Sequence, residues 1–155
     1  MKKTILLVED DENDVFLFTR AMGKIGIRVP LQTVSDGQQA IDYVEGRGKF
    51  ADREAFPFPY LILLDLKLPH VKGLDVLKRV RESADDRPIV VILSSSKNEL
   101  DISEAYRLGA NAYLSKPASF EGLLETVKAI GDFWLTFNVP FGSKDYLPAG
   151  GVDAP

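Results

Sequence analysis

Several chemistry-bearing residues stand just behind short apolar runs in this chain. Glu9 and Asp10 follow Thr4–Val8, and Asp65 follows Leu61–Leu64. Ser94 follows Pro88–Leu93, and Lys116 comes shortly after Asn111–Leu114. Three carboxylates gathered in one place repel one another and are not stable dry and unpaired. A divalent cation resolves that conflict. Mg²⁺ prefers oxygen ligands, keeps several waters, and typically takes one or two carboxylates plus a phosphate oxygen. In a pocket so neutralised, one carboxylate can act as a nucleophile and form an acyl phosphate. Phosphoryl transfer then needs little beyond positioning and neutralisation of the equatorial oxygens. A lysine ammonium and a serine hydroxyl suit that task.

The elements that would position these groups follow from the pattern around them. Tyr60–Pro69, YLILLDLKLP, begins as an unbroken apolar run and stops at Asp65, as a buried strand of a parallel sheet does. Ligands of such sheets sit outside the carboxyl ends of the strands, where Asp65 stands. After Val8, apolar residues at Leu17, Phe18, Ala21, Met22 and Ile25 mark one face of a helix that Gly26 ends. Asp11, Glu12 and Asp14 are accounted for as cap and first-turn acids of that helix. Ile27–Val34, interrupted by Pro30, predicts an edge strand, and Ser35-Asp36-Gly37 a turn into the next helix. Positions 46–59 read as a packed surface loop. Further helices are predicted over Leu74–Arg81, about Glu99–Leu108 with Gly109 behind it, and Ser119 to about Leu135. Strand and helix alternate five times, which with right-handed crossovers gives a doubly wound parallel sheet, α/β in class.

Composition agrees with that and excludes other classes. The 155 residues, 45% of them hydrophobic, fit one domain over about 1–140 with a Gly/Pro-rich tail over 141–155. A net charge of −4 with no Lys/Arg cluster argues against nucleic acid as a partner. The absence of cysteine suits a reducing cytoplasm. The opening MKKTILLVED is too short and too acidic for a signal peptide, and no stretch reaches the length of a membrane span, so a cytoplasmic protein with no membrane partner is expected.

The motifs in order, ILLVEDDENDV, LILLDLKLPHVKGLDVL, PIVVILSSS and LGANAYLSKP, resemble the receiver domains of two-component response regulators over about Lys3 to Leu135. The resemblance implies the five-stranded (βα)5 flavodoxin-like receiver fold. It implies Asp65 as phosphoacceptor and Mg²⁺ as cofactor. Glu9, Asp10, Asp65 and the backbone carbonyl of Lys67 would be the metal ligands. It also implies Ser94 as switch hydroxyl, Lys116 as the lysine that contacts the phosphoryl group, and Tyr113 as switch aromatic. Among the three serines the register could shift by one; Ser94 is favoured because it directly follows the last apolar residue. Lys116–Pro117 would be a cis peptide. Lys67 and Ser96 stand where the family tunes dephosphorylation. Within the family the chain looks most like the single-domain regulators paired with bacterial phytochromes. The partner implied is a sensor histidine kinase of the bacteriophytochrome type, and the domain would catalyse only its own phosphorylation and dephosphorylation.

Output would then be protein–protein contact or phosphate relay, since little chain remains after Leu135. Phe133, Trp134, Phe137, Val139 and Phe141 make the end of the last helix too aromatic for a solvated terminus. They either fold back on their own core or form a homodimer interface, for which Phe133, Trp134 and Phe137 are the candidates. Val15 and Phe16, off the inward face of the first helix, could belong to a kinase-docking surface. Three other functions compete. A Mg²⁺-dependent aspartyl-phosphate phosphatase of the haloacid dehalogenase kind needs an aspartate two residues after the nucleophile, where this chain has Lys67. A nucleotide-binding module lacks GxGxxG and GxxxxGK[ST] here. A receiver-like module that binds without phosphorylation would have no use for the acid–Asp–hydroxyl–Lys set.

Overall fold

The computed structural model describes residues 3–83 and 88–140. Its elements are β1 (Ile5–Val8), α1 (Glu12–Ile25), β2 (Leu31–Val34), α2 (Gly37–Glu45), β3 (Leu61–Leu64), α3 (Gly73–Ser83), β4 (Ile89–Ser94), α4 (Glu99–Arg107), β5 (Ala112–Ser115) and α5 (Phe120–Ile130). The strands form one parallel sheet in the order β2-β1-β3-β4-β5. This is the doubly wound (βα)5 architecture expected. β2 is an edge strand, as Pro30 requires, and it is shorter than predicted. The predicted tail over 141–155, with Phe141, lies outside the described residues.

Side chains of β1, β3 and β4 alternate between two buried layers, as strand geometry demands. Leu6, Val8, Ile62, Leu64, Val90 and Ile92 face a layer closed by α2, α3 and Ala105 of α4. Ile5, Leu7, Leu61, Leu63, Val91 and Leu93 face α1 and α5 through Phe18, Ala21, Met22, Val127 and Ile130. Caps set the helix phases. Asp11 accepts from the Asn13 and Asp14 amides to start α1, Asp36 from Gln39 to start α2, and Gly26, at φ 87°, ends α1 in the left-handed region.

The loop over 46–59 is packed. It carries a 3-10 turn at Gly48–Ala51, and Phe50 is buried in contact with the Tyr43 and Phe56 rings at 5.1 Å. The Arg53 guanidinium donates to the carbonyls of Tyr43, Val44 and Phe56 and so closes the carboxyl end of α2.

One expectation is corrected and one refined. The described backbone contains no cis peptide, so Lys116–Pro117 is trans. The Lys116 amide donates to the Ser94 carbonyl at 2.9 Å, which continues the ladder past β5, and its side chain reaches its partners without a cis turn. The last α-helix stops at Ile130, and Gly131–Phe137 continues it as a π-helical stretch, with the Asn138 amide bonded to the Phe133 carbonyl.

Candidate functional site

β1, β3 and β5 end at the same edge of the sheet, with β4 between β3 and β5, and the residue after each end bears a charge. Glu9 and Asp65 are buried, at 5% and 6% exposure, although both are carboxylates. The Lys116 ammonium reaches both, at 2.6 Å from Glu9 Oε2 and 2.9 Å from Asp65 Oδ2. A third carboxylate, Asp14 Oδ2, lies 3.0 Å from the same nitrogen. Capping accounts for Asp14 in the sequence pattern, but Asp11 is the cap, which leaves Asp14 free to face Lys116 from the first turn of α1. The available signal was an acid one helical turn beyond Asp10, which any solvated helix could carry.

The remaining oxygens are also placed. Glu9 Oε1 accepts from the Asp11 amide at 3.1 Å, and Asp65 Oδ1 accepts from the Lys67 amide at 3.3 Å. Burial, with the Asp65 charge adding to it, pushes the Glu9 carboxyl up to about 7 against the opposing bonds from Lys116 and the Asp11 amide. Burial alone would also disfavour the Lys116 ammonium, but its bonds to Glu9, Asp65 and Asp14 more than reverse that and raise its pKa. The two shifts have one origin. One cation serves three anions, so the cation is held charged while the most buried carboxylate lacks full compensation.

That deficit fits a divalent cation. Glu9, exposed Asp10 and Asp65 each offer a carboxylate oxygen, and these atoms lie within 4.8 Å of one another. An all-oxygen donor set of this kind suits Mg²⁺ or Mn²⁺.

The other predicted residues surround this centre. Ser94, the last residue of β4, is fully buried, and its hydroxyl accepts from the Ser96 amide at 3.2 Å. Ser96 Oγ donates to Asp101 of α4 at 2.7 Å, while its carbonyl accepts from the Tyr113 hydroxyl at 2.8 Å. Tyr113 is half-buried and packs on the layer beneath α2, α3 and α4. Ser96 thus links Ser94, Tyr113 and α4, a role for Asp101 that nothing in the sequence pattern signalled. Gly73 comes close behind Asp65: a Cβ there would stand 2.3 Å from the Asp65 carbonyl oxygen.

The aromatic end lies away from this centre and divides in two. Trp134 and Leu135 pack on the α1/α5 layer, the Trp134 carbonyl accepting from the Tyr60 hydroxyl and that of Leu135 from Lys3. Phe133 and Phe137 remain 53% and 74% exposed. On α1, Val15 is partly buried and Phe16 is 60% exposed.

The model of the response regulator receiver domain matches residues 5–128. The chain belongs to that family. It is 39% identical over 138 residues to the probable methanogenesis regulatory protein FilR2 of Methanothrix harundinacea, covering 86% of this chain and 84% of that protein. It is 37% identical over 134 residues to response regulator Rcp1 of Synechocystis, covering 86% and 89%. The phosphorylated cyanobacterial phytochrome response regulator RcpA superposes with a TM-score of 0.82 at 37% identity, over 90% of this chain and 98% of that one. The Mn²⁺-bound form of Rcp1 does so at 0.79. The chain is therefore a two-component response regulator receiver, homologous to phytochrome response regulators. Among its described residues no helix is long and apolar enough to cross a membrane.

Proposed function

We propose that Asp65 accepts a phosphoryl group from the phosphohistidine of a sensor histidine kinase, in a reaction that requires Mg²⁺. The observation that carries this reading is the pair Asp65–Lys116, a buried carboxylate 2.9 Å from an ammonium, inside a cluster of acids whose oxygens lie within 4.8 Å. Glu9, Asp10 and Asp65, with the carbonyl of Lys67, would hold the ion, which supplies neutralisation of the carboxylates and of the phosphoryl oxygens. Asp65 Oδ attacks phosphorus, the P–N bond to histidine breaks, and the electron pair returns to the imidazole. Lys116 donates to the transferred group, and Ser94 supplies a second donor from β4. The new charge biases Ser94, Ser96 and Tyr113, and with them the face formed by α4, β5 and α5.

A phytochrome-type kinase is the partner we favour, supported by the likeness of the chain to phytochrome response regulators along nearly its whole length. A homodimer through Phe133, Trp134 and Phe137 belongs to the same reading, supported by the exposed rings of Phe133 and Phe137.

Incubation with acetyl phosphate and Mg²⁺, followed by intact mass, tests the central step. The wild type is expected to gain one phosphoryl mass that is absent without Mg²⁺ and absent in Asp65→Asn. A folded wild type that gains nothing, from acetyl phosphate or from a phosphorylated phytochrome-type kinase, refutes it and leaves a module that binds without phosphorylation.

A further inference from the structure

Lys116 has three ammonium protons and three carboxylate partners. Glu9 Oε2, Asp65 Oδ2 and Asp14 Oδ2 lie at 2.6, 2.9 and 3.0 Å, so every donor is engaged before any phosphoryl group arrives. A phosphoryl group on Asp65 takes the place of Asp65 Oδ2 and brings more than one oxygen to the same nitrogen, so that the remaining carboxylates compete with it for the ammonium protons. The three differ in what release costs. Glu9 is buried at 5% side-chain exposure, its other oxygen is bound to the Asp11 amide, and in the reading above it serves the metal ion. Asp65 carries the phosphoryl group itself. Asp14 is 41% exposed on the first turn of α1, where water can replace the lysine.

We propose that Asp14 is a positioning residue that holds Lys116 against α1 in the unphosphorylated protein and yields it to the phosphoryl group. This rests on the reading of Asp65 as phosphoacceptor. Asp14 acts on Lys116 in two opposed ways. It keeps the ammonium at the mouth of the site, and it competes with the incoming oxygens for it.

The test uses beryllofluoride with Mg²⁺ as a phosphoryl mimic, on the whole chain. In Asp14→Asn the competing anion is gone, and beryllofluoride is expected to bind about threefold to fivefold more tightly, the range of a partly exposed ion pair. Glu12→Gln removes the same charge from the same turn without a contact to Lys116 and is expected to change affinity less. In a Lys116→Met background, Asp14→Asn is expected to have no further effect. The ¹⁵N resonance of the Lys116 ammonium, recorded without metal, is expected to shift in Asp14→Asn and to stay in place in Asp132→Asn. Unchanged or weaker binding in Asp14→Asn overturns the proposal, as does an equal gain in Glu12→Gln or an undiminished effect without Lys116. An unmoved ammonium resonance overturns it without reference to phosphorylation. Failure of the wild type to bind beryllofluoride would instead count against the phosphoacceptor reading, and the two failures are thereby told apart.

Discussion

At the scale of single residues, the site is governed by an excess of carboxylates over cations. Glu9 expresses that excess most, because it is buried beside Asp65 and its pKa is raised from 4.5 to about 7. A raised carboxyl pKa means that the folded protein binds the proton more tightly than the unfolded chain. The associated stability is present below about pH 4.5 and is lost as pH rises through about 7, in protein free of metal. Metal reverses the preference, because only the ionised carboxylate can ligate. Mg²⁺ affinity is therefore expected to rise with pH through about 7, with up to one proton released per ion bound. Calorimetry in buffers of different ionisation enthalpy measures both, and a pH-independent affinity between 5.5 and 8, roughly the span that brackets this titration, would contradict the assignment of Glu9 as a ligand. Ser96 and Lys67 are expected to act at a later step. Ser96 Oγ is turned towards Asp101, and the Lys67 amide holds Asp65 Oδ1. Lys67→Ala and Ser96→Ala are expected to change phosphoryl loss severalfold while altering phosphorylation less; decay of the phosphorylated mass over time gives the answer.

At the scale of elements, strand ends bring the charges together and tight backbone contacts keep them there. Gly73 opens α3 directly against the β3–α3 turn, its amide bonded to the Leu66 carbonyl at 3.0 Å. A methyl group at this position would meet the Asp65 carbonyl oxygen at 2.3 Å and Leu66 Cα at 2.6 Å, both backbone atoms that no rotamer change can move. Gly73→Ala is expected to cost more than about 2 kcal/mol and to weaken Mg²⁺ binding by displacing Asp65. Denaturant unfolding with and without Mg²⁺ separates the two losses, and an Ala variant as stable as the wild type would show that the turn can open. Arg81 does comparable work at the other end of α3. Its guanidinium donates to the carbonyls of Gly109 and Pro88 and to Asn111 Oδ1, tying α3 to the segments that flank β4 and β5.

At the scale of the whole molecule, the charged cluster and the aromatic segment lie apart. Trp134 and Leu135 close the α1/α5 layer, while Phe137 is largely exposed and Phe133, about half exposed, sets its ring edge-on to Trp134. The dimer expected from this surface should dissociate in the double variant Phe133→Ser and Phe137→Ser, with little change in unfolding midpoint because neither ring is buried in the monomer. Light scattering across a concentration series shows it, and a wild type monomeric at high concentration would remove the dimer from the reading.

Much of this was legible in the sequence. Unbroken apolar runs such as LILL and IVVIL can only be buried on both faces, which dictates a parallel sheet with helices on each side. Once the sheet is parallel, residues that close the runs must share an edge, and that alone brought Glu9, Asp65, Ser94 and Lys116 to one place. What the sequence could not supply was the pairing of flexible side chains across long separations. Asp14 and Lys116 stand 102 positions apart, and an acid in the first turn of a helix is fully explained by the helix itself. The link from Ser96 to Asp101 and the division of the aromatic end into packed and exposed rings were hidden for the same reason. They depend on the angle at which helices settle on a finished sheet, which only the packed core decides. The trans peptide at Lys116–Pro117 belongs here too, since the position of its lysine is set by acids that the fold, and not the dipeptide, brings within reach.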